Sequence, residues 1–250
     1  GAVLAYVVAL RRLGPRHAPA GGPPASRWQV TSFLAGALIL WVGAASPVHD
    51  IAEQYLFSMH MVQHTLFSLV APALLLLGTP RWLAELVVRP RAVAAVVGML
   101  GRSIPSLVLF NVVIVVLHWA PVVDLALRSE PAHFALHLLL FSSALLVWMP
   151  VASPLARPGR ITPPAQMLHL FVNSIVPTVP ASFFTFSEGV IYERYGAAPR
   201  IWGMTAIADQ QMAGLIMKLG GAAILWGAIT IIFFRPKRSE RLPPASELKT

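Results

Sequence analysis

AEQYLFSMHMVQHTLFSLVAPALLLLGTP, residues 52–80, decides the fold class. Between Glu53 and Arg81 it carries no acidic or basic residue other than histidine. At a helical rise of 1.5 Å per residue, a run from about residue 54 to 78 is long enough to cross a hydrocarbon core of ~30 Å. Two histidines, His60 and His64, sit inside this apolar run. Ionisable groups at membrane depth are costly and mark a site by default.

Six further runs share this character, at about 1–13, 28–46, 104–123, 131–151, 163–186 and 207–234. Of the 250 residues, 56% are hydrophobic and 12% charged, and the mean hydropathy is +0.69. The chain is therefore expected to be an all-α polytopic membrane protein, a bundle of about seven transmembrane helices. Residues 1–234 form a single membrane domain, and 235–250 a basic cytoplasmic tail. The sequence opens at Gly1, so the first run reads as a helix whose start is missing, with no recognisable signal peptide.

The formal charge of +9 would suggest nucleic acid as a partner of a soluble protein. Here all but four of the 19 Lys and Arg fall in alternate loops, around 11–27, 79–103 and 152–162, and in the tail. That bias sets topology, with the N-terminus outside and the C-terminus in the cytoplasm, and leaves lipid rather than nucleic acid as the partner of the basic tail. Acidic residues gather at the outer ends.

Between the runs, Gly14–Pro24 reads as a flexible connection. Around 81–101, Trp82, Leu83, Leu86 and Val87 share one face, which predicts a short helix in the inner headgroup region. Pro177 and Pro180 predict a kink, with Asn173, Ser174 and Thr178 able to satisfy the freed carbonyls. Tyr192, Tyr195 and Trp202 fit an interfacial aromatic belt.

His60 with His64, and His133 with His137, are spaced four apart, so each pair projects from one helical face and has the spacing to chelate an ion. Counted from the span ends, both pairs and His118 fall within roughly 3–15 Å of the outer side. His49 stands in the adjoining loop, and Asp209 with Met212 begins the last span at the same side. Asp209 reads as a ligand, a helix cap or a partner orienting an imidazole. Met59, Met61 and Met212 lie near this slab; packing is the plainer reading of methionine, and Met212 is carried as a thioether suited to Cu(I).

The candidate metal set is thus His60, His64, His118, His133, His137, Asp209, His49 and Met212. There is no cysteine, which excludes thiolate ligation and leaves copper, zinc or haem iron open. His169 and His17 read as polar packing residues, and Lys218, near mid-span, as paired to a carbonyl or a helix-kink group.

Three blocks resemble the CtaG-type cytochrome c oxidase assembly factors of the caa-oxidase branch. They are the quoted segment with its His-x-x-Gln-His ending and Pro-x-Leu-Leu-x-Leu-Gly-x-Pro exit, HWAPVVDLAL (118–127) with HFALHLLLFSSALLVWMPV (133–151), and DQQMAGLIM (209–217). Lys218 departs from that pattern, in which an aromatic residue follows the methionine.

The resemblance implies a factor in the bacterial cytoplasmic membrane that helps mature a haem-copper oxidase. It implies copper as the metal, an oxidase subunit as the partner and a periplasmic copper donor upstream, with His60, His64, His118, His133, His137 and Asp209 as the functional residues. No catalytic nucleophile or acid–base pair stands out, so no enzyme activity is expected. The rival readings are a haem-b electron-transfer protein, a copper or proton permease, and a scaffold whose histidines only join helices.

Overall fold

The computed structural model describes residues 1–19 and 21–235, and every regular element among them is helical. The tail assigned from sequence to 235–250 lies, beyond Arg235, outside the described residues. In chain order the helices are α1 (Ala2–Arg12), α2 (Gly14–His17), α3 (Arg27–Ala45), α4 (Pro47–Gln54), α5 (Phe57–Thr65), α6 (Ala71–Gly78), α7 (Arg81–Val87) and α8 (Arg91–Leu100). They continue as α9 (Ser103–Leu117), α10 (Ala120–Arg128), α11 (Glu130–Ala152), α12 (Pro163–Asn173), α13 (Thr178–Phe186), α14 (Glu193–Ala197), α15 (Ala206–Leu215) and α16 (Gly221–Phe233).

Five stretches are long and apolar enough to cross a membrane: Arg27–Ala45, Phe57–Gly78, Glu130–Ala152, Pro163–Phe186 and Ala206–Phe233. A sixth exists if α8 and α9, bent by 90° at their junction, count as one. The expected all-α polytopic bundle is what the structure shows, and among the described residues five or six of the about seven expected spans are long and apolar enough by themselves. α1 has 11 residues and rises only about 16 Å. The run expected at 104–123 ends as a helix at Leu117, because the ring of Pro121 would meet the carbonyl four residues back. The chain turns extended at Trp119 and restarts as α10.

The loop at 81–101 holds two short helices, α7 and α8, rather than one. Trp82 anchors the first by donating its indole N–H to Pro24 O at 2.7 Å. Between α12 and α13 the helix breaks into turns ahead of Pro177 and Pro180. Ser174 and Thr178 hydroxyls donate to Phe171 O and Ser174 O within the break, at 2.7 and 3.2 Å, and not to Asn173 O or Val176 O, the carbonyls four residues before the prolines, while Asn173 Oδ1 instead accepts from Asn111 Nδ2 at 3.2 Å.

Leu66–Val70 is a π-helical turn joining α5 to α6, and Ile216–Gly220 is another joining α15 to α16. Such turns insert a residue and re-aim the face that follows. Pro72 has no N–H to give the carbonyl of Ser68; Trp148 of α11 donates its indole N–H there instead, at 3.2 Å.

The core gathers Leu69, Phe110, Leu140, Val147, Trp148, Leu170 and Leu225 from five spans. Small residues bring α3 against the third-quarter backbone of the bundle: a Cβ on Gly78 would lie 2.4 Å from Phe33 N, and one on Gly43 2.4 Å from the Phe67 ring. Leu38, Ile104, Phe134, Phe183 and Ile231 are exposed around the outside, the pattern of a bundle whose surrounding solvent is hydrocarbon.

Candidate metal centre

The site is built at the end of the bundle where α4, α5, α10 and α11 meet. Two caps, one of them buried, fix its helices. Asp209 of α15, 1% exposed, accepts from the backbone N–H of Phe57 and Ser58 at 2.8 and 2.9 Å, and so terminates α5 one turn before His60. Ser129 accepts from Ala132 N at 3.4 Å and starts α11 just ahead of His133, with Pro131 in its first turn. Gln63, fully buried, donates to Gly43 O at 2.6 Å and locks the face of α5 that carries His60 and His64.

The four paired histidines converge. The ring centroids are 4.2 Å apart within each pair, His60–His64 and His133–His137. Between pairs, His60 lies 5.8 Å from His137 and 5.9 Å from His133. His60, His133 and His137 each offer a ring nitrogen within 4.8 Å of the others. His137 Nε2 lies 3.1 Å from His64 Nε2 and 3.2 Å from His133 Nε2. A neutral imidazole nitrogen has either one proton or one lone pair, so His137 Nε2 satisfies one of these two contacts and leaves the other short of a partner. A cation among the three would engage every lone pair. Tetrahedral ligation at 2.0–2.1 Å sets donors about 3.4 Å apart, close to the spacing found.

His118 stands at the edge of the cluster, its ring 6.0 Å from that of His64. Its Nδ1 lies 2.7 Å from Ile114 O, which can only accept, so this nitrogen carries the proton and Nε2 the lone pair. That Nε2, and the Nδ1 atoms of His60 and His64, are buried without a hydrogen-bond partner. His49 lies further along, its ring 6.3 Å from His133.

Two candidates do not join. Both carboxylate oxygens of Asp209 accept from backbone N–H groups, so it caps α5, the cap reading of this residue. Met212 is exposed, while Asp209 and Ala213 of the same helix are buried. His169 behaves as the packing residue expected, with its ring nitrogens 2.9 Å from Ser103 Oγ and 2.8 Å from Val147 O. Lys218 donates to Thr178 Oγ1 at the break between α12 and α13, a helix-kink group as expected. Lys218 lines a cavity of about 50 Å³ that also reaches His64, His118 and Asn173.

Glu53 was not singled out by sequence reasoning. Its Oε1 lies 3.0 Å from His133 Nδ1 and 2.9 Å from His49 Nδ1. A carboxylate beside Nδ1 favours the tautomer that turns the Nε2 lone pair of His133 toward His137. The available signal was local: Glu53 is four residues after His49, on the same face of α4.

Tyr192 and Tyr195, expected in an interfacial belt, are instead buried with Phe57, Met61, Phe184 and Ala213 as an apolar roof over His60. They fold inward because each hydroxyl finds a carbonyl, Tyr192 donating to His118 O at 2.7 Å and Tyr195 to Ala52 O at 2.9 Å. Burial raises the pKa of both above the ordinary phenol range, helped by Asp124 near Tyr192 and by Glu53 and Asp209 near Tyr195. Trp202 is exposed and keeps the belt reading open.

The space enclosed by His60, His64, His133, His137, Leu117 and Leu127 is about 30 Å³, room for an ion or a water. A wider vestibule of about 860 Å³, lined by Glu53, Arg128, Glu130, His133 and Arg194 among others, leads to it.

No curated protein and no solved structure matches the chain. The family described as cytochrome c oxidase caa3 assembly factor (Caa3_CtaG) matches over residues 4–239, nearly the full length. The helical bundle and the histidine-bearing third and fifth runs fall within that match, and the chain belongs to the Caa3_CtaG family of cytochrome c oxidase assembly factors.

Proposed function

We propose that this assembly factor holds copper as cargo among His60, His64, His118, His133 and His137 and delivers it to the copper centre of a haem-copper oxidase. The observation that carries the reading is the three-nitrogen contact at His137 Nε2, 3.1 and 3.2 Å from its neighbours, which one shared cation resolves and protons do not. Thiolate-free imidazole ligation suits copper. An oxidase copper held by imidazoles inside the membrane is loaded by a donor presenting imidazoles at similar depth, so the ion is never bare in hydrocarbon.

Transfer proceeds by ligand exchange: each bond to a donor histidine breaks as one to the oxidase forms. The chain does no covalent chemistry, so it acts as a carrier and not as an enzyme. The charge bias of the loops places the histidine end at the periplasmic side of the bacterial cytoplasmic membrane, where a periplasmic copper donor supplies the ion, with the N-terminus outside and the C-terminus inside.

The cramped interior favours an ion over haem: the space among the rings is about 30 Å³, whereas pockets for cofactor-sized ligands hold roughly 300 Å³ or more. The test is metal analysis and an optical spectrum of the purified wild type beside the double variant His60→Ala, His64→Ala. Copper in the wild type, its loss in the variant and no Soret band are expected. Equal copper in both, or a strong Soret band, overturns the proposal.

A further inference from the structure

We propose that His49, Glu53 and His133 form a second, shallower metal station, through which the incoming cation passes on its way to the deeper histidines. The proposal rests on the copper reading above and adds the route by which the ion arrives.

Three observations carry it. First, Glu53 Oε1 lies between two ring nitrogens, 2.9 Å from His49 Nδ1 and 3.0 Å from His133 Nδ1. Both contacts fall outside hydrogen-bond direction, so this buried carboxylate oxygen has no hydrogen-bond partner. Two imidazoles and a carboxylate are an open metal ligand set, with water completing the coordination. The two carboxylate separations need open by only a few tenths of an ångström to reach the roughly 3.4 Å that donors around one tetrahedral ion adopt, while the His49 and His133 rings, 6.3 Å apart, close on the ion as it binds.

Second, exposure falls along the path: the side chains of His49 and Glu53 are 34% and 23% exposed, that of His133 9%. The large vestibule touches Glu53 and His133, and a second groove touches His49, Glu53, His133 and His137, so each member of the trio borders an open groove, whereas His60 and His64 line neither. His49 Nδ1 is also 3.1 Å from Gln63 Nε2, which ties this ring to the helix bearing the deeper site.

Third, His133 belongs to both stations. Its Nδ1 faces Glu53 and its Nε2 faces His137 at 3.2 Å. The cation therefore moves from one edge of a single imidazole to the other. Its bonds to Glu53 Oε1, His49 Nδ1 and His133 Nδ1 break as bonds to His133 Nε2, His137 and His60 form. The one ring proton of His133 relocates from Nε2 to Nδ1, on the side of the Glu53 carboxylate, and the oxidation state of the metal does not change. The shallow station supplies one negative charge that draws a cation out of water. The deeper one is uncharged imidazole, which retains a borderline or soft cation and releases hard ones such as magnesium or calcium.

The full chain in detergent, titrated with zinc(II) as a redox-silent probe, tests the idea. His60→Ala with His137→Ala removes the two deep ligands that group with His133 and is expected to keep one zinc bound through nitrogen and oxygen donors, as X-ray absorption reads them. Adding Glu53→Gln is expected to abolish that binding, while a double variant that binds no zinc overturns the proposal. In the otherwise intact chain, His49→Gln is expected to slow copper(I) loading about tenfold or more, the scale of losing one supporting metal contact. Loading at the wild-type rate also overturns it, for it leaves Glu53 as only an orienting partner of His133. A wild type that binds neither metal removes the copper reading as well, and so is distinguishable from failure of the shallow station alone.

Discussion

Replacing Asp209 separates a cap from a ligand. In Asp209→Ala the N–H groups of Phe57 and Ser58, held at 2.8 and 2.9 Å, lose their only side-chain acceptor. Each bond to a charged acceptor contributes about 1.5 kcal/mol at the lower end of its range, and the low end suits a chain where bonds between helices in a bilayer run weak. Together the loss is about 3 kcal/mol. Asp209→Asn keeps one acceptor oxygen and presents an amide N–H₂ to the other N–H, so it loses roughly half. Unfolding in mixed micelles gives the stability, and a copper titration on the folded fraction gives stoichiometry. The expected pattern is a graded loss of stability, Ala more than Asn, with copper stoichiometry retained. A variant of wild-type stability that no longer binds copper would refute the cap and restore Asp209 to the ligand set.

His137→Ala removes the nitrogen common to two short contacts. If ~12 kcal/mol of metal binding is shared by four ligands, each contributes about 3 kcal/mol, so a roughly hundredfold weaker copper affinity in a competition assay is expected. Trp148→Phe leaves Ser68 O without its indole donor and lowers stability by about 1–2 kcal/mol in the same unfolding assay. Tyr192 and Tyr195 bind their protons more tightly folded than unfolded. Their contribution is therefore complete below the unfolded value of about 10 and is lost as pH rises through the higher native values; Tyr192→Phe with Tyr195→Phe flattens that alkaline fall.

The membrane class and the two histidine pairs were legible because each is local: apolar run length and four-residue spacing need no knowledge of what lies opposite. Their convergence was legible only as shared depth, which brings rings to one plane but not to one point. What brought them together, the contact of α5 with α11, is tertiary. Glu53 was hidden for the same reason, since its partner His133 is 80 positions away and the acidic residue alone reads as a loop charge. Asp209 shows the limit of residue type: a carboxylate beside a metal candidate and a carboxylate under a helix terminus look alike until the amides are placed. The end of the run at 104–123 was misplaced where a proline cuts it, because hydropathy is blind to the break at Trp119–Pro121. Tyr192 and Tyr195 turned inward on carbonyl partners that no periodicity announces.

The bond from Trp148 to Ser68 O bears on the order in which the protein is made. Its two residues are separated by 80 positions, about ten seconds of translation at ~5–20 residues per second. During that interval the carbonyl that Pro72 cannot serve has no indole to meet it, and hydrocarbon offers no substitute. The packing of α11 that supplies the indole also sets the rings of His133 and His137 5.9 and 5.8 Å from that of His60, so the helix that completes the backbone bonding of the earlier span is the one that completes its imidazole cluster.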